Sequence, residues 1–211
     1  MNQIKDYWDH RFRKEGMIWG QEPSKTAVYA KNLFLENQVK TVLVPGAGYG
    51  RNTKVLSPFF EVDGIELSHD AIKLAREWDP NTRFIEDSVL RPRPDGKRYD
   101  AVYCFDLLHL LLKPERKTLV EQCAGHLQSG GLMYFTSFSD EDSHSGIGKQ
   151  IEDGTYEYTE GKYAHFFSQQ DLIDHFAGMQ LLETGSIREL LTYQDQSAKE
   201  YILRYIIVRK N

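Results

Sequence analysis

Cysteine is scarce: two in 211 residues, Cys104 and Cys123. Two cysteines make no disulfide framework, and neither stands at metal-ligand spacing. Both read as small core residues, and no metal is expected. Positive charge is short as well. The 26 Lys and Arg stand against 31 Asp and Glu, a net charge of −5. That leaves no electrostatic footprint for nucleic acid. The one dense basic stretch, Arg91-Pro92-Arg93-Pro94 followed by Lys97-Arg98, reads as a solvated loop. No apolar run is long enough to span a membrane, and the start, Met1 to Asp6, has no apolar targeting region. A cytoplasmic location is expected. There are no internal repeats and no low-complexity segments. Hydrophobic residues make up 40% of the chain and aromatics 12%, enough for one sizeable core. One domain over 1–211 is expected.

The most informative stretch is Thr41-Val42-Leu43-Val44-Pro45-Gly46-Ala47-Gly48-Tyr49-Gly50-Arg51-Asn52. Its short apolar run suits a strand buried on both faces of a parallel sheet. Pro45 lacks a ladder donor, so the strand ends there. The glycines then permit a tight turn that brings backbone N–H groups close to a ligand. Residues from Asn52 on suit a helix whose N-terminus faces that ligand. Glu61 to Glu66 reads as a second strand ending in an acid. Glu66 lies 66 − 46 = 20 residues past the first glycine. A carboxylate there, with Leu67 beside it, is placed to accept both hydroxyls of a ribose.

A dinucleotide loop wants G-x-G-x-x-G, and here Arg51 takes the third-glycine place. That disfavours a nicotinamide oxidoreductase. The frame Gly46-x-Gly48-x-Gly50 instead resembles the class I S-adenosylmethionine-dependent methyltransferases. Gly50-Arg51-Asn52 resembles their tellurite-resistance-type and thiopurine-type small-molecule branch. Tyr7-Trp8-Asp9, then Trp19-Gly20 and Pro23-Ser24, resemble the N-terminal lid of that branch. One departure stands out: the superfamily usually has an acid two residues before the first glycine, and this chain has Val44.

The resemblance implies a Rossmann-like α/β fold, doubly wound. Its seven-stranded sheet runs in order 3-2-1-4-5-7-6 with strand 7 antiparallel. It implies that Gly46, Ala47, Gly48 and Gly50 hold the cofactor, S-adenosylmethionine. It further implies that Trp19 in the lid (residues 1–36) walls the methionine end, and that Phe105 lines the site. At the tip of a strand over 82–86, Asp87 would receive the adenine amine and the Ser88 N–H would donate to a ring nitrogen. Tyr99-Asp100 and Leu108-His109-Leu110 resemble the fourth motif. At the end of a fourth strand expected over 99–105, Phe105-Asp106-Leu107-Leu108 stands where exocyclic-amine methyltransferases carry Asn/Asp-Pro-Pro-aromatic.

Elsewhere, Ser24, Ser68 and Ser168 read as caps of helices over 24–36, 69–77 and 169–177. Val28, Leu33 and Leu35 are expected to face inward in the first. Lys113-Pro114-Glu115 opens a helix to Leu127. Strands are expected over 132–138, 179–186 and 199–209. Residues 139–165 have no clear period and read as a long substrate-side loop hinged at Gly146 and Gly148. Tyr156, Tyr158, Tyr163 and His165 are its expected pocket residues. An oxygen nucleophile would need a base, and His109 and His165 are the candidates. The expected function is methyl transfer to a small-molecule nucleophile: a thiol, a metalloid oxyanion or a hydroxyl. The alternative is a non-catalytic binder of S-adenosylmethionine, or a partner subunit.

Overall fold

The computed structural model describes residues 2–92, 96–193 and 197–211. Arg93 and Pro94 of the basic stretch lie outside them. The chain begins with α1 (Asn2–Glu15) and α2 (Lys25–Glu36). It continues through β1 (Thr41–Pro45), α3 (Thr53–Leu56), β2 (Glu61–Glu66), α4 (His69–Trp78), β3 (Arg83–Glu86) and β4 (Tyr99–Cys104). After a 3-10 turn over Leu108–Leu110 come α5 (Lys113–His126) and β5 (Leu127–Phe138). Then follow β6 (Lys149–Glu152), β7 (Thr155–Thr159), β8 (Lys162–His165), α6 (Gln169–His175), β9 (Gln180–Thr192) and β10 (Ala198–Arg209).

Seven strands form one sheet in the order β3-β2-β1-β4-β5-β10-β9. β1 to β5 are parallel, and β10 runs antiparallel between β5 and β9. This is the expected order, β10 being the seventh strand of the sheet along the chain. Both faces are covered, as a parallel sheet requires. Alternation along β4 shows how. Ala101 and Tyr103 pack with Ala27, Ala30 and Phe34 of α2. Val102 and Cys104 pack with Leu119, Val120 and Cys123 of α5. Both cysteines are free and buried, and burial raises Cys123 to about 12. All three serines cap as expected, their side chains accepting the N–H of Ala27, Ala71 and Asp171.

Four expectations are corrected. α2 buries Thr26, Ala27, Ala30 and Phe34, while Val28 and Leu35 are exposed. Small alanines let α2 approach the sheet closely, and the Thr26 hydroxyl joins Ser24 at the Tyr103 hydroxyl, 2.9 and 3.0 Å away. The helix after the glycine loop is a single turn, too short to present a helix dipole to a ligand. Residues 139–165 are not a structureless loop. They contain a three-stranded antiparallel sheet, β6-β7-β8, turned at Gly154 and Gly161, both at positive φ. Gly148 is no hinge. A Cβ there would stand 2.5 Å from the carbonyl oxygen of Glu157, so the glycine is needed for close packing.

Candidate functional site

The site is built at the carboxyl ends of β1, β2 and β4, where open α/β sheets bind ligands. Gly46, Gly48 and Gly50 all take positive φ, at 67°, 57° and 83°. Only glycine adopts that run without strain. The loop is tied down by the Ala47 N–H on the Ile65 carbonyl at 3.0 Å. A Cβ on Gly48 would meet nothing nearer than Phe12 Cζ at 4.0 Å, so the loop leaves a cradle at its crest. Gly46 lies against Leu107, which brings the β4 tip alongside the loop.

Glu66 is buried at the tip of β2. One carboxylate oxygen accepts the Gly48 N–H at 2.9 Å and the other the Ser68 N–H at 2.8 Å. Burial raises its pKa, against the backbone N–H groups that stabilise the charge. A carboxylate has about four acceptor positions, so two remain for ribose hydroxyls. Leu67 offers its carbonyl, which here accepts from Lys5 Nζ at 3.1 Å. At the tip of β3, one Asp87 oxygen accepts the Ser88 N–H at 2.7 Å and Arg91 Nη1 at 3.3 Å. The other oxygen has no partner among the described residues. The expected adenine donor, Ser88 N–H, is thus engaged by Asp87 itself.

The N-terminal segment covers this cradle. Asp9 accepts the Ser68 hydroxyl at 2.7 Å and the Asp70 N–H at 3.3 Å. Lys5 reaches Glu86 at 3.2 Å. So α1 lies over the tips of β2 and β3. Trp19 stacks on Tyr49 with ring centroids 6.2 Å apart. The Tyr49 hydroxyl accepts the Trp19 N–H at 3.1 Å and donates to the Gly20 carbonyl at 2.8 Å. Trp8 and Phe12 complete the cluster.

On the other side of the β4 tip runs a column of rings. Tyr156 neighbours Phe166, which stacks on Phe138, which stacks on Tyr201. Tyr201 meets the Tyr193 hydroxyl at 2.8 Å, and Tyr193 packs against the Trp19 cluster. Tyr163 is not part of this wall. Its register partner is Glu157, so it shares the face of Thr155 and His165, opposite Tyr156.

The two histidines are poor bases. His109 stacks on Phe138 at 3.8 Å, and burial pushes its pKa down to about 3. Its Nδ1 is buried without a partner. His165 has both ring nitrogens engaged, Nδ1 with Thr155 at 2.8 Å and Nε2 with Asp171 at 2.6 Å. Burial lowers its pKa. It ties β8 to α6.

Residues to which the sequence assigned no binding role lie at the β4 tip beside Phe105. Arg51 sits with its guanidinium 5.3 Å above the Phe105 ring and donates to the Glu22 carbonyl at 3.3 Å. Asp106 takes φ 50°, unusual for a side-chain-bearing residue. Burial raises its carboxyl to about 7. Glu189 of β9 is buried and accepts the Lys25 N–H on both oxygens at 3.3 Å. For Asp106 the sequence signal was its place directly after a strand, and for Arg51 its place directly after the glycines.

A family model, the methyltransferase domain, matches residues 42–131, from β1 to the glycines of β5. That stretch of the chain is similar to the methyltransferase domain. No curated protein matches it significantly. Solved structures share the fold at low identity. One is a protein described in the conversion of a disulfide bond into a thioacetal group during echinomycin biosynthesis. It has 17% identity and a TM-score of 0.78, with 99% of this chain and 92% of that chain covered. TehB from Haemophilus influenzae has 15% identity and a TM-score of 0.67, covering 98% of this chain and 67% of that one. The third is 1,6-didemethyltoxoflavin-N1-methyltransferase from Burkholderia thailandensis, with bound 1,6-didemethyltoxoflavin and S-adenosylhomocysteine. It has 19% identity and a TM-score of 0.67, covering 100% of this chain and 86% of that one. The matched residues take in β1 to β4, α3 to α5 and the glycine loop. The aromatic column and the β9–β10 pair lie beyond the matched residues. Among the described residues, no helix is long and apolar enough to cross a membrane.

Proposed function

We propose that this chain transfers a methyl group from S-adenosylmethionine to a small-molecule nucleophile. The observation that carries the reading is the cradle of three left-handed glycines facing Glu66 across the tips of β1 and β2. Gly46, Ala47, Gly48 and Gly50 approach the cofactor with backbone alone. Glu66 accepts the ribose hydroxyls. Asp87 takes the adenine amine on its free oxygen, and Ser88 turns its N–H from Asp87 to the ring. Trp19 and Phe105 wall the site. The cofactor supplies a methyl carbon already activated by a sulfonium. The chain therefore has to position the acceptor in line and keep water out.

The acceptor lies against the column of Tyr156, Phe166, Phe138 and Tyr201. Burial lowers His109 to about 3, which makes it too weak a base to take the acceptor's proton, and both ring nitrogens of His165 are engaged, so on this reading no histidine base serves the reaction. The acceptor is a nucleophile that ionises readily by itself, a thiol or a metalloid oxyanion rather than an alcohol. The neighbour from echinomycin biosynthesis, named for chemistry at sulfur, agrees with this choice.

Thermal melting tests the cofactor. S-adenosylhomocysteine at a hundredfold excess over its Kd stabilises by about 2.7 kcal/mol, whereas NAD leaves the transition where it is. No shift with S-adenosylhomocysteine would sink the reading. Transfer of labelled methyl to thiols, metalloid oxyanions and phenols tests the acceptor class. A preference for phenols would overturn that part.

A further inference from the structure

The amino-acid end of S-adenosylmethionine carries an α-ammonium beside an α-carboxylate. Seating it out of water needs one anion and one cation. β1 offers no anion, because position 44 is a buried valine. The charges lie instead at the tip of β4, beside the glycine loop.

Asp106 is held there in a strained, left-handed conformation. Its N–H donates to both the carbonyl and the hydroxyl oxygen of Thr136, each at 3.2 Å. The Thr136 hydroxyl donates to Oδ1 at 2.9 Å. Oδ2 has no hydrogen-bond partner among the described residues. Arg51 is buried and spends one of its five N–H donors, on the Glu22 carbonyl. Glu189 is buried within electrostatic range of Arg51, and Asp106 feels both. One cation and two acids thus share a poorly hydrated corner. Their sum of −1 matches a ligand whose sulfonium, ammonium and carboxylate sum to +1.

We propose that Asp106 and Arg51 seat the amino-acid end of the cofactor, Asp106 holding the ammonium and Arg51 the carboxylate, with Glu189 as the positioning residue for Arg51. The assignment rests on the methyl-donor reading above. It gives the departure at Val44 a replacement on a different strand.

A protonation consequence follows. Without a cation on it, burial keeps the Asp106 carboxyl near 7, with the Thr136 hydrogen bond and Arg51 pulling it down and Glu189 pushing it up. Tyr103 and Cys104 of β4 also sense it. An ammonium favours the ionised form, so binding at pH 7 expels a proton.

Calorimetry with two probes tests this. S-adenosylhomocysteine carries the amino-acid end. 5′-Methylthioadenosine keeps the adenosine and the thioether but lacks that end. Asp106→Asn and Arg51→Gln should each weaken S-adenosylhomocysteine tenfold or more and leave 5′-methylthioadenosine unchanged. Asn tolerates the left-handed conformation, so the first variant keeps its fold. In wild type at pH 7, buffers of different ionisation enthalpy should report proton release with S-adenosylhomocysteine and none with 5′-methylthioadenosine. Asp106→Asn should abolish that release. Equal losses for both probes, or no proton release in wild type, would overturn the seat while leaving the cofactor reading intact. If neither probe binds wild type, the cofactor reading itself fails and takes this one with it.

Discussion

Glu66 does two things with one carboxylate. It braces the crest of the glycine loop through the Gly48 N–H and the start of α4 through the Ser68 N–H. On the proposed reading its remaining lone pairs take the ribose hydroxyls. Glu66→Gln should separate the two, because the amide retains shape and one acceptor oxygen. Each lost charge-assisted bond is worth about 1.5–3 kcal/mol, so the Kd for S-adenosylhomocysteine should rise tenfold or more. An unchanged Kd in a folded variant would remove Glu66 from the site. The spacing from Gly46 to Glu66 made this residue visible in the sequence. Asp106 was not visible, because its character comes from a backbone angle and from loss of hydration.

At the scale of elements, two docked pieces close the site. The segment around Trp19 is pinned to the glycine loop by the Tyr49 hydroxyl, which both accepts and donates. Burial raises that phenol to about 12, so it stays protonated across the physiological range. Tyr49→Phe should cost about 1–2 kcal/mol and speed amide exchange at Trp19 and Gly20. Exchange there at the wild-type rate would mean that the tether is idle. The small sheet β6-β7-β8 is pinned from the other side by Arg116 of α5. That guanidinium is buried, donates to the Leu111 carbonyl at 2.7 Å, and pairs with Glu152 at 3.3 Å. Arg116→Met should lower stability by roughly 1–3 kcal/mol and loosen 149–165 ahead of the main sheet. If hydrogen exchange showed 149–165 opening only with global unfolding, the sheet would be part of the core rather than a docked element.

Over the whole molecule, buried titratable groups give stability a dependence on pH. His109 falls from an ordinary 6.5 to about 3 on folding. Between those values the unfolded chain binds a proton that the folded chain refuses, so stability drops as pH falls. The slope is about 1.4 kcal/mol per pH unit at most. Asp106 runs the other way, from 3.8 to about 7, so its contribution is lost as pH rises through that window. Comparing wild type with His109→Phe cancels the Asp106 part. From pH 7 to pH 5, the variant should lose roughly 2 kcal/mol less stability than wild type in urea unfolding. Parallel pH profiles would show that His109 takes up its proton in the folded state.

Local chemistry decided much of this protein before any packing. The β-branched run, Pro45 and three alternating glycines determine the first strand and its loop. Three serines determine three helix starts, and alternating strands and helices determine an α/β domain. Each signal acts within a few residues, so the sequence carries it unaided. The order of the strands came from family resemblance rather than from propensity. What the tertiary structure alone decided is how distant parts meet. α2 turned its alanines inward because the sheet rewards close approach there. The tyrosines expected together, Tyr156 and Tyr163, were parted by the register of β7 against β8, a one-residue matter that flips a side chain to the other face. Burial set the basicity of His109, and pairing with Asp171 and Thr155 set the surroundings of His165. Arg51, Asp106 and Glu189 stand 138 positions apart from first to last, yet they share one corner. Only the closing of the sheet brings their charges together, and a poorly hydrated environment gives that meeting its strength.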